Sequence, residues 1–165
     1  PDRRLARWTA DFIAGRPTDT LALLSDINAG ISAWVFYQSR DDEGTQTPLE
    51  TLDRGWGSCR DLAVLLMEAV RHLGFGARIV SGYHAGRIPG LPVGTPGSTH
   101  AWVEIFVPGP GWIAFDPTNR TVGDGELVPV ARARSIHQVV PVAGSFTGVP
   151  DDFLGLEASV TVRPG

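Results

Sequence analysis

Apolar residues recur at helical spacing in the segment from about residue 58 to 73. They form one continuous face, which consists of Leu62, Leu65, Leu66, Ala69, Val70 and Leu73. Ser58 suits the N-cap position, Asp61 stands in the first turn where negative charge complements the helix dipole, and Gly74 suits the position after the C-terminus. The pattern therefore predicts an amphipathic helix that begins at Ser58 or Cys59 and packs one face on a core.

Weaker helical patterns precede this segment. Residues 21–35 show apolar positions near a 3.6-residue period, with Asp19 placed to cap the helix, and residues 3–14 favour a short helix. The polar and glycine-rich stretch from 38 to 58 is predicted to be a loop that contains one short turn of helix at 48–53.

Beyond residue 76 the pattern changes to that of β-strands. Residues that favour strands are enriched in six runs, at 77–83, 99–107, 112–116, 126–130, 138–142 and 158–162. The segment Pro108–Gly111 predicts a tight turn that joins the second and third runs in a hairpin, and residues 84–98 are predicted to be a loop. Helices followed by strands favour an α+β fold in which the helices pack on an antiparallel sheet.

Composition and charge exclude several classes of protein. With 165 residues the chain suits one compact domain. Its 14 basic residues are all arginine and 18 residues are acidic, so the net charge of −4, without a basic cluster, argues against a nucleic-acid partner. No apolar run approaches the ~18 residues of a membrane helix.

The chain begins with Pro1, and residues 1–165 are therefore interpreted as a single catalytic core excised from a longer protein. Whether that longer protein has an upstream signal or anchor is left open.

The single cysteine, Cys59, falls at the start of the best-defined predicted helix. One cysteine excludes an internal disulfide and is compatible with a reducing compartment, so a cytoplasmic location is expected. Unpaired N–H groups and the positive end of the helix dipole stabilise a thiolate at such a position, and Arg60 adds a nearby cation. The alternative interpretation is a small, inert, buried side chain, which free cysteines often are.

His100 and Asp116 fall on the two strands of the predicted hairpin. Strand alternation places His100 on the face opposite a largely apolar set, which consists of Thr99, Ala101, Val103, Ile105 and Val107. If residues whose numbers add up to 216–218 pair across the hairpin, His100 lies beside the region of Asp116. The centre of the predicted turn implies a sum that agrees with this range within one to three residues, and a β-bulge would cover the difference. A carboxylate across from an imidazole fixes its tautomer and stabilises its cation. The structural alternatives are a hydrogen-bonded histidine at a strand end and an aspartate in the turn before Pro117.

Together, a thiol at a helix start and a His–Asp pair on adjacent strands supply a nucleophile, a base and a group that orients the base. Packing of the predicted helix on the sheet would bring Cys59 to His100. A zinc site built from the same residues is a chemical alternative, but the clustered ligand spacing of such sites is absent. His84, in the predicted loop, is expected to face solvent, and the alternative is that it lines a cleft.

These segments resemble the motifs of the transglutaminase-like superfamily, which includes bacterial members related to thiol proteases. Four motifs occur in the family's order, namely Gly55–Asp61, Leu73–Tyr83, His100–Glu104 and Gly111–Asn119. The resemblance covers about residues 20–120. It implies a papain-like core of the α+β class and assigns Cys59, His100 and Asp116 to a catalytic triad.

The resemblance also implies a chemistry. The thiolate of Cys59 would attack an amide carbonyl of a peptide or protein substrate, an acyl-thioester would form, and water or an amine would resolve it. No cofactor or metal is expected, and the sequence lacks a calcium loop of the EF-hand type. Members commonly carry a β-rich domain before this core. The alternative function is a non-catalytic binding or scaffold domain that keeps the fold, which three intact residues disfavour.

The substrate cleft is less well defined. The backbone N–H of Cys59 is the natural first donor to an oxyanion, and the segment Trp34–Gln38 is expected to supply a second. The candidates for the cleft are Tyr37, Gln38, Trp56, Ser58, Tyr83 and Trp102. For the aromatic residues of this set, packing in the core or at its rim is an equally compatible interpretation.

Overall fold

A computed structural model of the protein contains four α-helices and seven β-strands in the part of the chain that it describes. The helices are α1 (Arg3–Ala10), α2 (Thr20–Trp34), α3 (Pro48–Arg54) and α4 (Cys59–His72). The strands are β1 (Phe36–Tyr37), β2 (Trp56–Gly57), β3 (Ala77–His84), β4 (Ser98–Val107), β5 (Gly111–Asp116), β6 (Thr121–Val122) and β7 (Leu127–Ala133). The described residues are 3–13, 15, 18–40, 43–85, 98–123, 125–145, 147–149, 152, 154–155 and 159–161.

A five-stranded antiparallel sheet forms the centre of the fold, with the strand order β6-β5-β4-β3-β7. Neighbouring strands also follow one another along the chain, except that β7 returns to pair with β3. Strands β1 and β2 form a separate parallel pair, in which Phe36 lies beside Trp56 and Tyr37 beside Gly57. The predicted α+β class, with helices packed on an antiparallel sheet, is confirmed.

Helix α4 connects the sheet to the other helices. It contacts β3 and β4 on one side and α1, α2 and α3 on the other. Its predicted apolar face is almost completely buried, as shown by the exposed fractions of Leu62, Leu65, Leu66, Ala69 and Val70, all at most 1%. Because each fully buried aliphatic side chain contributes about 1.5–3 kcal/mol, this packing holds both ends of α4 in fixed positions relative to the sheet.

The helix ends follow the caps that the sequence predicts. The Asp19 side chain accepts a hydrogen bond from the Ala22 N–H at 2.7 Å at the start of α2. After α4, Gly74 adopts a φ of 91°, a left-handed conformation that glycine tolerates best, and its N–H donates to the carbonyl of Arg71 at 3.0 Å.

The segment from 38 to 58 is more regular than predicted. It contains the seven-residue helix α3, whose first turn is stabilised by a capping box between Thr47 and Glu50 and by Pro48 at its start. It also contains β2, which runs directly into α4. The structure thus extends the predicted turn of helix by one residue and adds a short strand, so that two regular elements lead to Cys59.

The strand predicted at 138–142 is wrong. Residues Ile136–Gln138 form a short 3-10 helix, and Ile136 and Val139 are both buried in the main core. Two apolar residues three positions apart fit one helical turn, whereas a strand would point them to opposite faces.

At the C-terminal end, β7 starts at Leu127 and continues beyond the predicted run at 126–130. Of the run predicted at 158–162, residues 159–161 are described, and Val160 forms one isolated bridge. Most of the loop predicted at 84–98 lies outside the described residues. No helix in the described part of the chain is long and apolar enough to cross a membrane.

We expect Gly82→Ala to lower the free energy of unfolding by at least about 1–3 kcal/mol, the usual cost of overpacking. A Cβ atom at Gly82 would lie 2.1 Å from the carbonyl oxygen of Val128 and 2.9 Å from the ring of Trp102, so β7 or the indole must move. Urea unfolding measures the effect. Gly125→Ala is the matched control, because a Cβ atom there meets nothing within 4 Å. Equal stability of the two variants would contradict the close approach of β3 and β7.

Candidate active site

Cys59 is the first residue of α4, directly after the short parallel pair of β1 and β2. The side chain of Asp61 reaches back to Ser58 and accepts hydrogen bonds from its N–H at 2.8 Å and from its hydroxyl at 2.9 Å. These bonds secure the residue before the nucleophile candidate. The thiol-bearing residue itself is partly exposed, at a helix end where free N–H groups interact favourably with negative charge.

His100 and Asp116 come together across the hairpin of β4 and β5. Val103 lies opposite Phe115, a register inside the predicted range. His100 Nε2 donates to Asp116 Oδ2 at 2.7 Å, and the two side chains are 6% and 0% exposed. A buried carboxylate at this distance fixes both the orientation of the imidazole and the position of its Nε2 proton.

The carboxylate of Asp116 is held by the turn that follows β5. It accepts hydrogen bonds from the Thr118 N–H at 2.9 Å, from the Asn119 N–H at 3.3 Å and from the Asn119 side-chain amide at 2.7 Å. Burial by itself would raise the pKa of Asp116, but the hydrogen bond and charge of His100, followed by the hydrogen bonds of Asn119, lower that pKa below its usual value. Asp116 is therefore a fixed negative charge at neutral pH. The sequence analysis did not identify Asn119 as a supporting residue.

The surroundings of His100 favour the positively charged form of its imidazole. Burial disfavours the charged form, yet the hydrogen bonds to Asp116 and Cys59 and the negative charges of both raise the pKa of His100 to about 9. Cys59 on α4 and Asp116 on β5 thus both act on the imidazole of β4, and the bond from Nε2 to Asp116 leaves Nδ1 as the ring nitrogen available to other groups.

Tyr37 lies in β1, the strand that pairs with β2 shortly before Cys59. Its side chain is 57% exposed, and the pairing of β1 with β2 places it beside Gly57, two residues before Cys59. Burial and the charge of Cys59 raise the pKa of Tyr37 above its usual value. The phenol therefore stays protonated at neutral pH and remains able to donate a hydrogen bond next to the thiol.

Three other residues predicted for the cleft have different surroundings. The backbone N–H of Gln38 donates to the carbonyl of Gly57 at 2.9 Å, so it is committed to the β1–β2 pair. Trp56 is half-buried and packs against the guanidinium of Arg54, 5.7 Å from the ring centre. Ser58 is buried with its hydroxyl bonded to Asp61 and lies behind the thiol.

The two remaining candidates belong to the sheet. Tyr83 is half-buried in β3 between Thr99 and Val128 of the neighbouring strands. Trp102 is 1% exposed and belongs to a small cluster, which also contains Val80, Ala114 and Leu127. Its ring stacks on that of His100 at an interplanar angle of 24° and a centroid distance of 6.1 Å. Trp102 therefore supports the imidazole as a core residue.

His84 is part of the same neighbourhood, and its predicted exposure to solvent is wrong. The side chain is buried, and its ring contacts that of His100 in a perpendicular arrangement at 5.5 Å. The reason is that β3 extends through His84, which pairs with Ser98 on β4 and shares a sheet face with His100. Continuing the alternation of β3 by one residue would have revealed this placement.

A second buried ionic pair includes Asp61, two residues after Cys59 in α4. Arg40 Nε is 2.9 Å from Asp61 Oδ2, and Arg40 Nη2 is 3.1 Å from Asp61 Oδ1, with the two side chains 8% and 0% exposed. Burial raises the pKa of Asp61, but the hydrogen bonds from Arg40, Ser58 and Gln46 outweigh this effect and lower it. Arg40 was not among the predicted residues, because no local pattern links a loop arginine to a helical aspartate 21 positions later.

Metal ligation is a separate question. Within the described residues, no group of three or more histidine, cysteine, aspartate or glutamate side chains is arranged to hold a metal ion.

Comparison with known proteins decides the family. The family model of the transglutaminase-like superfamily matches residues 6–117, a segment that includes Cys59, His100 and Asp116. The chain belongs to the transglutaminase-like superfamily.

Similar proteins of this superfamily are longer than the present chain. An uncharacterised protein of Mycobacterium leprae is 32% identical over 101 residues, which cover 61% of this chain and 36% of the relative. A protein-glutamine gamma-glutamyltransferase of Pseudomonas aeruginosa is 36% identical over 67 residues, which cover 38% of this chain and 10% of that enzyme. The crystal structure of a proposed cysteine protease from Cytophaga hutchinsonii matches with a TM-score of 0.66 and 27% identity, over 81% of this chain and 43% of that one. The matches confirm a papain-like core, and this chain spans less than half of each of these proteins.

The raised pKa of His100 predicts a pH-dependent stability. A charged form favoured by folding contributes stability that is complete below the unfolded pKa of about 6.5 and is lost as the pH rises towards about 9. Without Cys59 the bond and charge of Asp116 still raise this pKa, so we expect the free energy of unfolding of Cys59→Ala to fall above about pH 6.5 more steeply than that of Cys59→Ala/His100→Gln. The shared alanine removes titration of the thiol. Urea unfolding at several pH values measures both curves, and parallel curves would contradict a folded-state imidazolium.

Proposed function

We propose that this protein is a cysteine enzyme that transfers acyl groups from amide bonds of peptide or protein substrates, as a protease or amidase or as a transglutaminase. Cys59 acts as nucleophile, His100 as acid and base, and Asp116 as the group that orients the imidazole. The supporting observation is the buried bond from His100 to the carboxylate of Asp116, together with the effect of Cys59 on the pKa of the same imidazole. Membership of a superfamily of thiol-dependent enzymes supports the same conclusion.

In the acylation step, the Cys59 thiolate attacks the carbonyl carbon of the amide and forms a C–S bond. The imidazolium of His100 donates its Nδ1 proton to the leaving nitrogen, and the C–N bond breaks to release an amine. In the second step, His100 takes a proton from water or from an acceptor amine, which attacks the thioester. The C–S bond breaks, the thiolate is restored, and His100 returns to its charged form beside Asp116.

The tetrahedral intermediate of each step carries an oxyanion that needs donors. The backbone N–H of Cys59, free at the start of α4, is the first donor in this proposal. The hydroxyl of Tyr37 is the second, because Tyr37 pairs with Gly57, two residues before Cys59, and its phenol stays protonated at neutral pH. The backbone of Gln38 is not proposed for this role, because its N–H is bonded to Gly57.

Hydrolysis is the proposed default outcome. Water greatly outnumbers any amine at a partly exposed thiol, unless a bound substrate excludes it from the cleft. The similar proteins include both a gamma-glutamyltransferase and a proposed cysteine protease, so the choice of acceptor is tested directly by supplying a primary amine with the substrate.

We expect Cys59 to react with iodoacetamide at pH 6.5 much faster than an ordinary thiol, because the imidazolium of His100 stabilises the thiolate. His100→Ala should slow labelling at this pH by roughly tenfold or more. Mass spectrometry of the labelled chain gives the rate, with Cys59→Ala as the control for other sites. If the His100→Ala rate equals that of the wild type, the thiol and imidazole do not act together, and a non-catalytic binding domain becomes the better hypothesis.

For Tyr37→Phe we expect the acylation rate with p-nitrophenyl acetate to fall by roughly 10²-fold, the usual effect of removing one oxyanion donor. The alkylation rate with iodoacetamide should stay unchanged, because alkylation passes through no oxyanion. The burst of p-nitrophenolate measures acylation. Phe36→Leu, at an exposed neighbouring position of β1, is the matched control. An unchanged burst in Tyr37→Phe would exclude the phenol as a donor.

A further inference from the structure

The carboxylate of Asp61 is the centre of a hydrogen-bond cluster that no step of the proposed chemistry uses. It accepts five hydrogen bonds: two from the Arg40 guanidinium, two from Ser58, and one from the Gln46 N–H at 2.8 Å. Asp61 is fully buried, and the Arg40 side chain is 8% exposed. The cluster therefore lies inside the protein, directly beneath the first turn of α4.

The cluster joins the two segments that carry the proposed oxyanion donors. On one side, Asp61 holds both the N–H and the hydroxyl of Ser58, the residue whose carbonyl precedes the Cys59 N–H. On the other side, Arg40 belongs to the segment that leaves β1, three residues after Tyr37. The two segments also meet through the Gln38 N–H, which donates to Gly57 at 2.9 Å. The bonds between Arg40 and Asp61 thus connect the segment that follows Tyr37 to the first turn of the helix that begins at Cys59.

The residues around this cluster are closely packed. A Cβ atom at Gly57 would lie 2.8 Å from Cβ of Asp61 and 3.3 Å from Leu62. Only glycine allows β2 to approach the first turn of α4 so closely. Arg40 Nη2 also donates to the carbonyl of Gly44 at 2.9 Å, which fixes the far end of the guanidinium.

Stability alone does not explain a pair of this kind. Removing two charges from water is costly, and a buried ion pair is often replaced by apolar residues without loss of stability. Asp61 by itself is also sufficient to accept the hydrogen bonds from Ser58. The two hydrogen bonds from Arg40 add a fixed orientation of the carboxylate, since the planar guanidinium binds a carboxylate in one orientation.

We propose that Arg40 and Asp61 are positioning residues that set the geometry of the oxyanion site, by fixing the Cys59 backbone N–H against the Tyr37 hydroxyl. The inference rests on the proposed function and extends it to residues that touch neither substrate nor reacting atoms. A misplacement of one donor by about 1 Å is enough to slow an enzymatic step by about 10²-fold.

The test uses Arg40→Met/Asp61→Asn, which removes both charges together and leaves a carboxamide oxygen to accept the Ser58 N–H. Circular dichroism and a cooperative thermal transition establish that the variant folds. We expect its acylation rate with p-nitrophenyl acetate to fall by about 10- to 100-fold, while alkylation by iodoacetamide stays within about threefold of the wild type. Arg40→Lys keeps the positive charge but not the planar guanidinium with its two hydrogen bonds. Its acylation rate should lie between those of the wild type and the double variant.

The matched control is Arg4→Met/Asp53→Asn, which removes an exposed ion pair between α1 and α3. This variant should acylate and alkylate at wild-type rates. An acylation rate of Arg40→Met/Asp61→Asn within about twofold of the wild type would overturn the inference, as would parallel loss of acylation and alkylation, which signals a structural role only. Should the double variant not fold, a wild-type acylation rate in Arg40→Lys overturns it equally.

Failure of the proposed function gives a different result. A wild-type chain without a Cys59-dependent burst of p-nitrophenolate refutes the enzyme hypothesis and the inference with it. A wild-type burst that persists unchanged in the Arg40 variants refutes the positioning role alone.

Discussion

The placement of helix α4 on the sheet is the constraint on which the rest of the site depends. Its apolar face is buried against β3 and β4, so neither rotation nor sliding of the helix is possible without exposing core side chains. That burial fixes the N-terminus of the helix, and with it Cys59, near the beginning of β4 where His100 stands. Hydrophobic burial has no preferred direction, but it places Cys59 at a defined point, because Cys59 is the first residue of the helix.

Two buried ionic pairs refine this placement. The bond from His100 to Asp116 ties β4 to β5, and the bond from Arg40 to Asp61 ties the segment after β1 to α4. Both carboxylates have additional backbone donors, which offset the cost of their burial and keep each one in a single orientation. Packing thus sets the approximate position of the site, and directional hydrogen bonds set the orientation of its groups.

Much of this arrangement was predictable, and the failures have physical causes. Helix α4, its caps and the register of the β4–β5 hairpin follow from periodicity and turn chemistry, which are local in sequence. The strand predicted at 138–142 failed because β-branched composition suggested alternation where Ile136 and Val139 anchor a single helical turn in the core. The burial of His84 was missed because the end of β3 was placed one residue early, and Arg40 was missed because its partner is distant along the chain.

The sequence by itself determined the α+β class, the position of Cys59 at a helix start and the pairing of His100 with Asp116, because these depend on hydrophobic period, helix capping and a short hairpin. Only the tertiary structure decided that Trp102 lies behind the imidazole, that the Gln38 N–H is already bonded, and that Arg40 reaches Asp61. Those contacts join residues far apart in the chain. Which of them form depends on how all the layers pack together, and no local pattern encodes that result.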